Sequence, residues 1–165
     1  MKFSLTVLLV IILNMPTPSY DEVRIIDVDT LERIMHDPES GIRVINFWAT
    51  WCKPCIEELP YFEALRDNPA FNEVEVILIS LDFSSDLNSR VSGFMEKNDI
   101  HSTVYLLDNT DYNSWINKVD PTWSGAIPAT LMIDGKSGER RFFEKQFKFD
   151  ELENELIDFI TKTKP

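Results

Sequence analysis

The chain reads as an α/β domain, a sheet covered on both faces by helices. Short, nearly unbroken apolar runs at 44–48 and 73–81 are rich in β-branched and aromatic residues, as are strands buried on both sides. Between such runs lie stretches whose apolar residues recur at helical spacing, and the chain ends in a hairpin followed by a helix. At 165 residues, with 44% hydrophobic and 27% charged residues, it can build one domain with a sizeable core but not two comfortable ones.

Taken in order, Met1-Lys2 supplies a brief positive start, residues 5–13 are apolar except Thr6, and residues 14–19 are polar and proline-bearing. This is the build of a secretory signal peptide over 1–19, leaving a domain over 20–165. A short membrane anchor is the alternative, although a spanning helix needs nearer 20 apolar residues. No cysteine follows the run, which argues against a lipoprotein anchor. Loss of 1–19 removes Lys2 and no acid, taking the formal charge from −12 to −13. Such acidity argues against nucleic acid and anionic membrane surfaces as partners.

Residues 23–28 read as a first strand, and Asp29 or Thr30 can cap a short helix with Leu31, Ile34 and Met35 on one face. Residues 37–41 form a loop by composition. The central strand follows, then a helix with Ile56, Leu59, Phe62 and Leu65 as its stripe and a kink expected at Pro60. Residues 73–81 are a second buried strand, 86–98 a helix, 104–107 a strand and 111–119 a short helix. A strand at 129–134, a turn at 135–138, a partner strand at 140–147 and a closing helix with Leu152, Leu156, Phe159 and Ile160 complete the chain.

The only two cysteines, Cys52 and Cys55, fall where the central strand hands over to its helix. Cys52 sits at the helix start, where unpaired N–H groups and the helix dipole favour an anion, and Pro54 loses no hydrogen bond in a first turn. Disulfide exchange needs a thiolate, and such helix-start pairs lower a thiol pKa from roughly 8.5 into the range of about 3.5–7.5. The charge of Lys53 pushes the same way. Cys55, one turn on, can displace a product from a mixed disulfide on Cys52. A structural disulfide would close too small a loop to stabilise much. Zinc would need two further ligands, and His36 and His101 show no paired spacing, so no metal is expected.

The stretch F-W-A-T-W-C-K-P-C resembles the active site of the thioredoxin fold, Pro60 sits where that family's helix kinks, and Ile127-Pro128-Ala129 before a strand resembles its cis-proline loop. The strand and helix over 102–119 are similar to the insert that marks the TlpA/ResA branch of exported thiol–disulfide oxidoreductases. The resemblance implies a central mixed β-sheet flanked by helices, with an extra strand–helix insert before the cis-proline strand. It implies Cys52 as the attacking thiol, Cys55 as the resolving thiol, Trp51 as a flat wall beside them, and Pro128 in cis against the pair. The backbone of Ile127 would pair with an extended substrate. Cytosolic thioredoxins carry a buried aspartate where this chain has Asn46, which cannot titrate. The branch commonly has asparagine there and uses a glutamate just after the next strand. This chain has no glutamate in 81–86, so Asp82 is the candidate proton relay, with a solvated or helix-capping acid as its alternative, and Glu57 and Glu58 are read as surface residues. Trp123-Ser124-Gly125 is open between the rim of the site and burial within its loop.

The expected activity is reduction of protein disulfides outside the cytoplasm, in the periplasm or its equivalent, by a monomer with no cofactor beyond the Cys52–Cys55 pair. Partners would be disulfide-bearing client proteins, a membrane thiol electron donor and, as for some relatives, cytochrome c maturation factors. Net oxidation, a peroxidase on the same fold and a non-catalytic binding module are the alternatives. The peroxidase reading lacks an arginine beside Cys52 in the sequence, and the binding module would not need both cysteines.

Overall fold

The computed structural model describes residues 23–163, so the expected signal peptide lies outside the described residues. The strands are β1 (Arg24–Ile26), β2 (Ile42–Trp48), β3 (Val74–Ser80), β4 (Thr103–Leu107), β5 (Ala129–Asp134) and β6 (Arg140–Phe143). The helices are α1 (Val28–His36), α2 (Lys53–Asp67), α3 (Ser92–Lys97), α4 (Ile116–Val119) and α5 (Phe149–Thr163). The six strands form one mixed sheet in the order β1-β4-β3-β2-β5-β6. β1, β4, β3 and β2 run parallel, while β5 and β6 are antiparallel to their neighbours. The expected insert strand, β4, lies inside the sheet between β1 and β3.

Because side chains alternate along a strand, β2 divides its own residues between two cores. Val44 and Trp48 face a cluster with Leu59, Phe62, Leu152 and Leu156, under α2 and α5. Ile45 and Phe47 face Leu31, Met35, Trp115 and Trp123 on the other side. The alternation sends Asn46 toward α2, a placement that governs the site. α2 runs from Lys53 to Asp67 with Pro60 inside it. Its buried stripe is Cys55, Glu58, Leu59, Phe62 and Leu65: the expected Leu59, Phe62 and Leu65 hold, while Cys55 rather than Ile56 starts it and Glu58 joins it.

Four boundaries depart from the sequence reading. α1 begins at Val28, within the expected first strand, because Asp27 caps it by accepting from the Thr30 N–H at 2.8 Å. The expected helix at 86–98 is a composite: a 3₁₀ turn over Ser84–Asp86, a π turn over Leu87–Val91, then α3. The helix expected at 111–119 divides likewise into a 3₁₀ turn at Tyr112–Ser114 and α4. β6 stops at Phe143, short of the expected 147, because Glu144 turns to bond the opposite loop and Phe147 folds back beneath α2.

Candidate active site

The two cysteines occupy the first turn of α2. Cys52 is the N-cap in an extended conformation, φ −91° and ψ 99°, and the Cys55 N–H points at its sulfur at 3.3 Å. The pair forms a disulfide of 2.03 Å. Cys52 is 6% exposed and Cys55 fully buried, so an incoming group meets Cys52 alone. Beside it Trp51 is 59% exposed. Lys53 is 87% exposed and paired with Glu57 at 3.8 Å, so solvent screens its pull on Cys52 and the helix terminus supplies the closer positive field.

Asp82 anchors the turn that delivers Cys52. Its carboxylate accepts from the Thr50 N–H at 2.9 Å, from the Thr50 hydroxyl at 2.6 Å and from the Ser80 hydroxyl at 2.8 Å. The structure thus places the expected relay on Thr50 and Ser80, with no hydrogen bond to either sulfur among the described residues.

A second buried acid of this region, besides Asp82, is Glu58, three residues after Cys55 on the same face of α2. Read from sequence as a surface residue, it has no exposed area, whereas Glu57 is half-exposed. One carboxylate oxygen accepts from Asn46 Nδ2 at 2.8 Å and the other from the Phe147 N–H at 2.7 Å. Burial pushes its pKa up from 4.5 to about 7, against the lowering effect of those two donors. Asn46 Nδ2 also lies 3.2 Å from Thr130 Oγ1 and 3.4 Å from the Ala129 carbonyl, while Asn46 Oδ1 has no partner among the described residues. Asn46 thus does not titrate, yet it holds a carboxyl that does.

The Ile127–Pro128 peptide is cis, and the Ile127 carbonyl oxygen lies 3.8 Å from Cys52 Sγ. The loop before it is pinned from β6's end by Glu144, which accepts from the Ser124 N–H at 2.9 Å, the Ala126 N–H at 3.1 Å and the Ser124 hydroxyl. Those bonds hold its carboxyl below the usual carboxylate range. Gly125 between them adopts φ +94°, and a Cβ there would stand 3.0 Å from Ile116 Cδ1, so glycine is required at this crossing. Trp123 does not shape the rim. It is buried against Phe47, Trp115 and Phe142, with its indole N–H donated to the Ala126 carbonyl at 2.8 Å.

Sequence reasoning missed Glu58 and Glu144. Glu58 had a readable signal, since it is the one acid on the buried stripe of α2. Glu144 had none, because its partners lie eighteen and twenty residues away across the hairpin.

The sequence profile of the AhpC/TSA family matches residues 28–138. The thiol-disulfide oxidoreductase ResA of a Bacillus cereus strain is 34% identical over 91 residues, covering 54% of this chain and 47% of that protein. The thioredoxin-like protein YneN of Bacillus subtilis (strain 168) is 34% identical over 102 residues, 62% of this chain and 55% of that protein. The chain therefore matches about half the length of these relatives. Among solved structures, StoA from Bacillus subtilis superposes with a TM-score of 0.56 at 22% identity, over 72% of this chain and 84% of that one. At that identity the likeness is one of fold, and the fold is that of thioredoxin.

Proposed function

We propose that this chain, which belongs to the AhpC/TSA family, is an exported thiol–disulfide oxidoreductase that reduces protein disulfides through Cys52 and Cys55. The observation that carries the reading is the asymmetry of the pair: one cysteine slightly exposed, its sulfur capped by a helix N–H, and one wholly buried behind it. In the reduced protein Cys52 is the thiolate, stabilised by the Cys55 N–H and the helix terminus. It attacks one sulfur of a client disulfide, and the other leaves as a thiolate. Cys55 then gives up its proton and attacks Cys52 Sγ, and the second client thiolate departs. Two electrons have passed to the client, and the Cys52–Cys55 disulfide is restored.

Glu58 is the base for the second step. A carboxyl buried one turn from Cys55, with a pKa near 7, accepts a proton at neutral pH and releases it again. Asn46 and the Phe147 N–H keep it in place. The Ile127 backbone beside Cys52 offers an edge for an extended client segment. No cofactor is required beyond the disulfide. A thiol donor in the membrane would restore the dithiol, and clients would be disulfide-bearing proteins of the envelope, apocytochromes awaiting haem among them. The export reading rests on residues 1–19; no helix among the described residues is long and apolar enough to cross a membrane.

Insulin-disulfide reduction tests the roles. Cys52→Ser is expected to abolish turnover, and Cys55→Ser to accumulate a mixed disulfide with client. Turnover by Cys52→Ser would remove the mechanism. Equilibration of the pair at about −120 mV, the poise of a strong oxidant, would reverse the net direction.

A further inference from the structure

We propose that the groove between Trp51 and α3 is a docking subsite for an acidic segment of the client, next to the disulfide under attack. The inference rests on the reductase reading and adds a preference among its substrates. The chain carries a formal charge of −12, so its surface as a whole repels acidic partners. The groove of about 480 Å³ beside the cysteines is an exception. Thr50, Trp51, Ser89 and Phe94 wall it, Arg90 and Lys97 supply its charge, and none of its lining residues is acidic. By contrast, the larger groove along α1 sets Asp27, Asp29, Glu32, Asp37 and Glu75 around its arginines.

The local fold produces this patch. Arg90 lies in the π turn, one residue before its end at Val91, and Gly93 and Lys97 follow at spacings of three and four, so that all three line the one groove. Nothing lies within 4 Å of a Cβ built on Gly93, so the floor between the cations stays open. Arg90 is 61% exposed and shares a 3.8 Å contact with Asp86, while Lys97 makes no ion pair among the described residues. The Trp51 ring, 59% exposed, lies along the same groove and is the residue before Cys52. A client bonded to Cys52 Sγ therefore has its neighbouring residues at the groove's edge. Glu or Asp side chains with apolar neighbours meet both the ring and the two cations.

The test uses two synthetic disulfide peptides that differ only in Glu or Gln beside the cysteine, and serine analogues of each that cannot exchange. Amide shifts of the oxidised full chain, titrated with the serine analogues, read the groove without redox chemistry. Kinetics of the reduced chain with the disulfide forms, dithiothreitol resupplying electrons, read the activity. The Glu peptide is expected to bind and react about three- to tenfold better, since exposed charge pairs are each worth up to about fivefold. Shifts should centre on Trp51, Arg90 and Lys97. The preference should vanish at about 1 M salt, where screening reaches ~3 Å, and reverse in R90E/K97E. The ratio of the two peptides is insensitive to partial unfolding of the variant. Equal binding of the two peptides, or a preference that survives the double variant or salt, overturns the proposal. A Glu preference in binding with neither peptide reduced would keep the groove and remove the reductase reading.

Discussion

Replacing Glu58 by Gln removes one titration while nearly keeping the shape of the site. The amide oxygen can still accept from the Phe147 N–H. The amide NH₂ then faces Asn46, whose Oδ1, without a partner among the described residues, becomes its acceptor once that side chain rotates. In the unfolded chain Glu58 titrates near 4.5, and in the oxidised native protein burial holds its proton to about 7. The native state thus binds this proton more tightly, so the stabilisation is complete below about pH 4.5 and is lost as the pH rises through 7. At 1.36 kcal/mol per pH unit the whole effect is about 3 kcal/mol, most of it falling between pH 5 and 8. Urea unfolding of the oxidised proteins reads it directly. Relative to Glu58→Gln, wild type should lose about 2–3 kcal/mol from pH 5 to pH 8, a midpoint difference of roughly 1 M at an ordinary urea dependence. Parallel stability curves across that range would refute both the raised carboxyl and the base assigned to Cys55.

Asp82→Ala should strip Thr50 and Ser80 of their acceptor and destabilise the protein by about 2–4 kcal/mol, with the pH profile of insulin reduction keeping its shape. A shifted profile at unchanged stability would instead make Asp82 the relay. Glu144→Ala frees three donors in the loop that presents Ile127. It should raise KM for insulin several-fold, up to about tenfold for 1.4 kcal/mol of lost docking, with kcat near wild type. The same release should occur in wild type only at acid pH, below the lowered carboxyl of Glu144, since stabilisation from a depressed carboxylate is lost as the pH falls through its native value. A fall in kcat alone would count against a docking role.

How far the sequence carries depends on where each residue finds its partners. β2, β3 and β5 are legible because burial on both faces writes itself as continuous apolar runs. The cysteine turn is legible because its logic is local, a strand end, a capping sulfur and a first-turn proline. The start of α1 is not, since in I-I-D-V-D-T several polar residues can cap and the pairing of Asp27 with Thr30 decides among them. The π turn before α3 leaves no periodic mark distinct from an ordinary helix. Glu58 is the instructive case. A lone acid is normally placed in water because burying it unpartnered is costly, and its partners Asn46 and Phe147 lie 12 and 89 residues away in the chain. Its presence on the stripe of Cys55, Leu59 and Phe62 was the visible clue, and chain separation hid the donors that make the burial tolerable.

The most direct test of the account is alkylation of the reduced full chain by iodoacetamide across pH, with the modified cysteine mapped by mass spectrometry. Cys52 should react first, with a midpoint well below the roughly 8.5 of a free thiol, while Cys55 stays protected. Modification of Cys55 first, or a Cys52 midpoint at or above the free-thiol value, would contradict an ionised sulfur held at the start of α2.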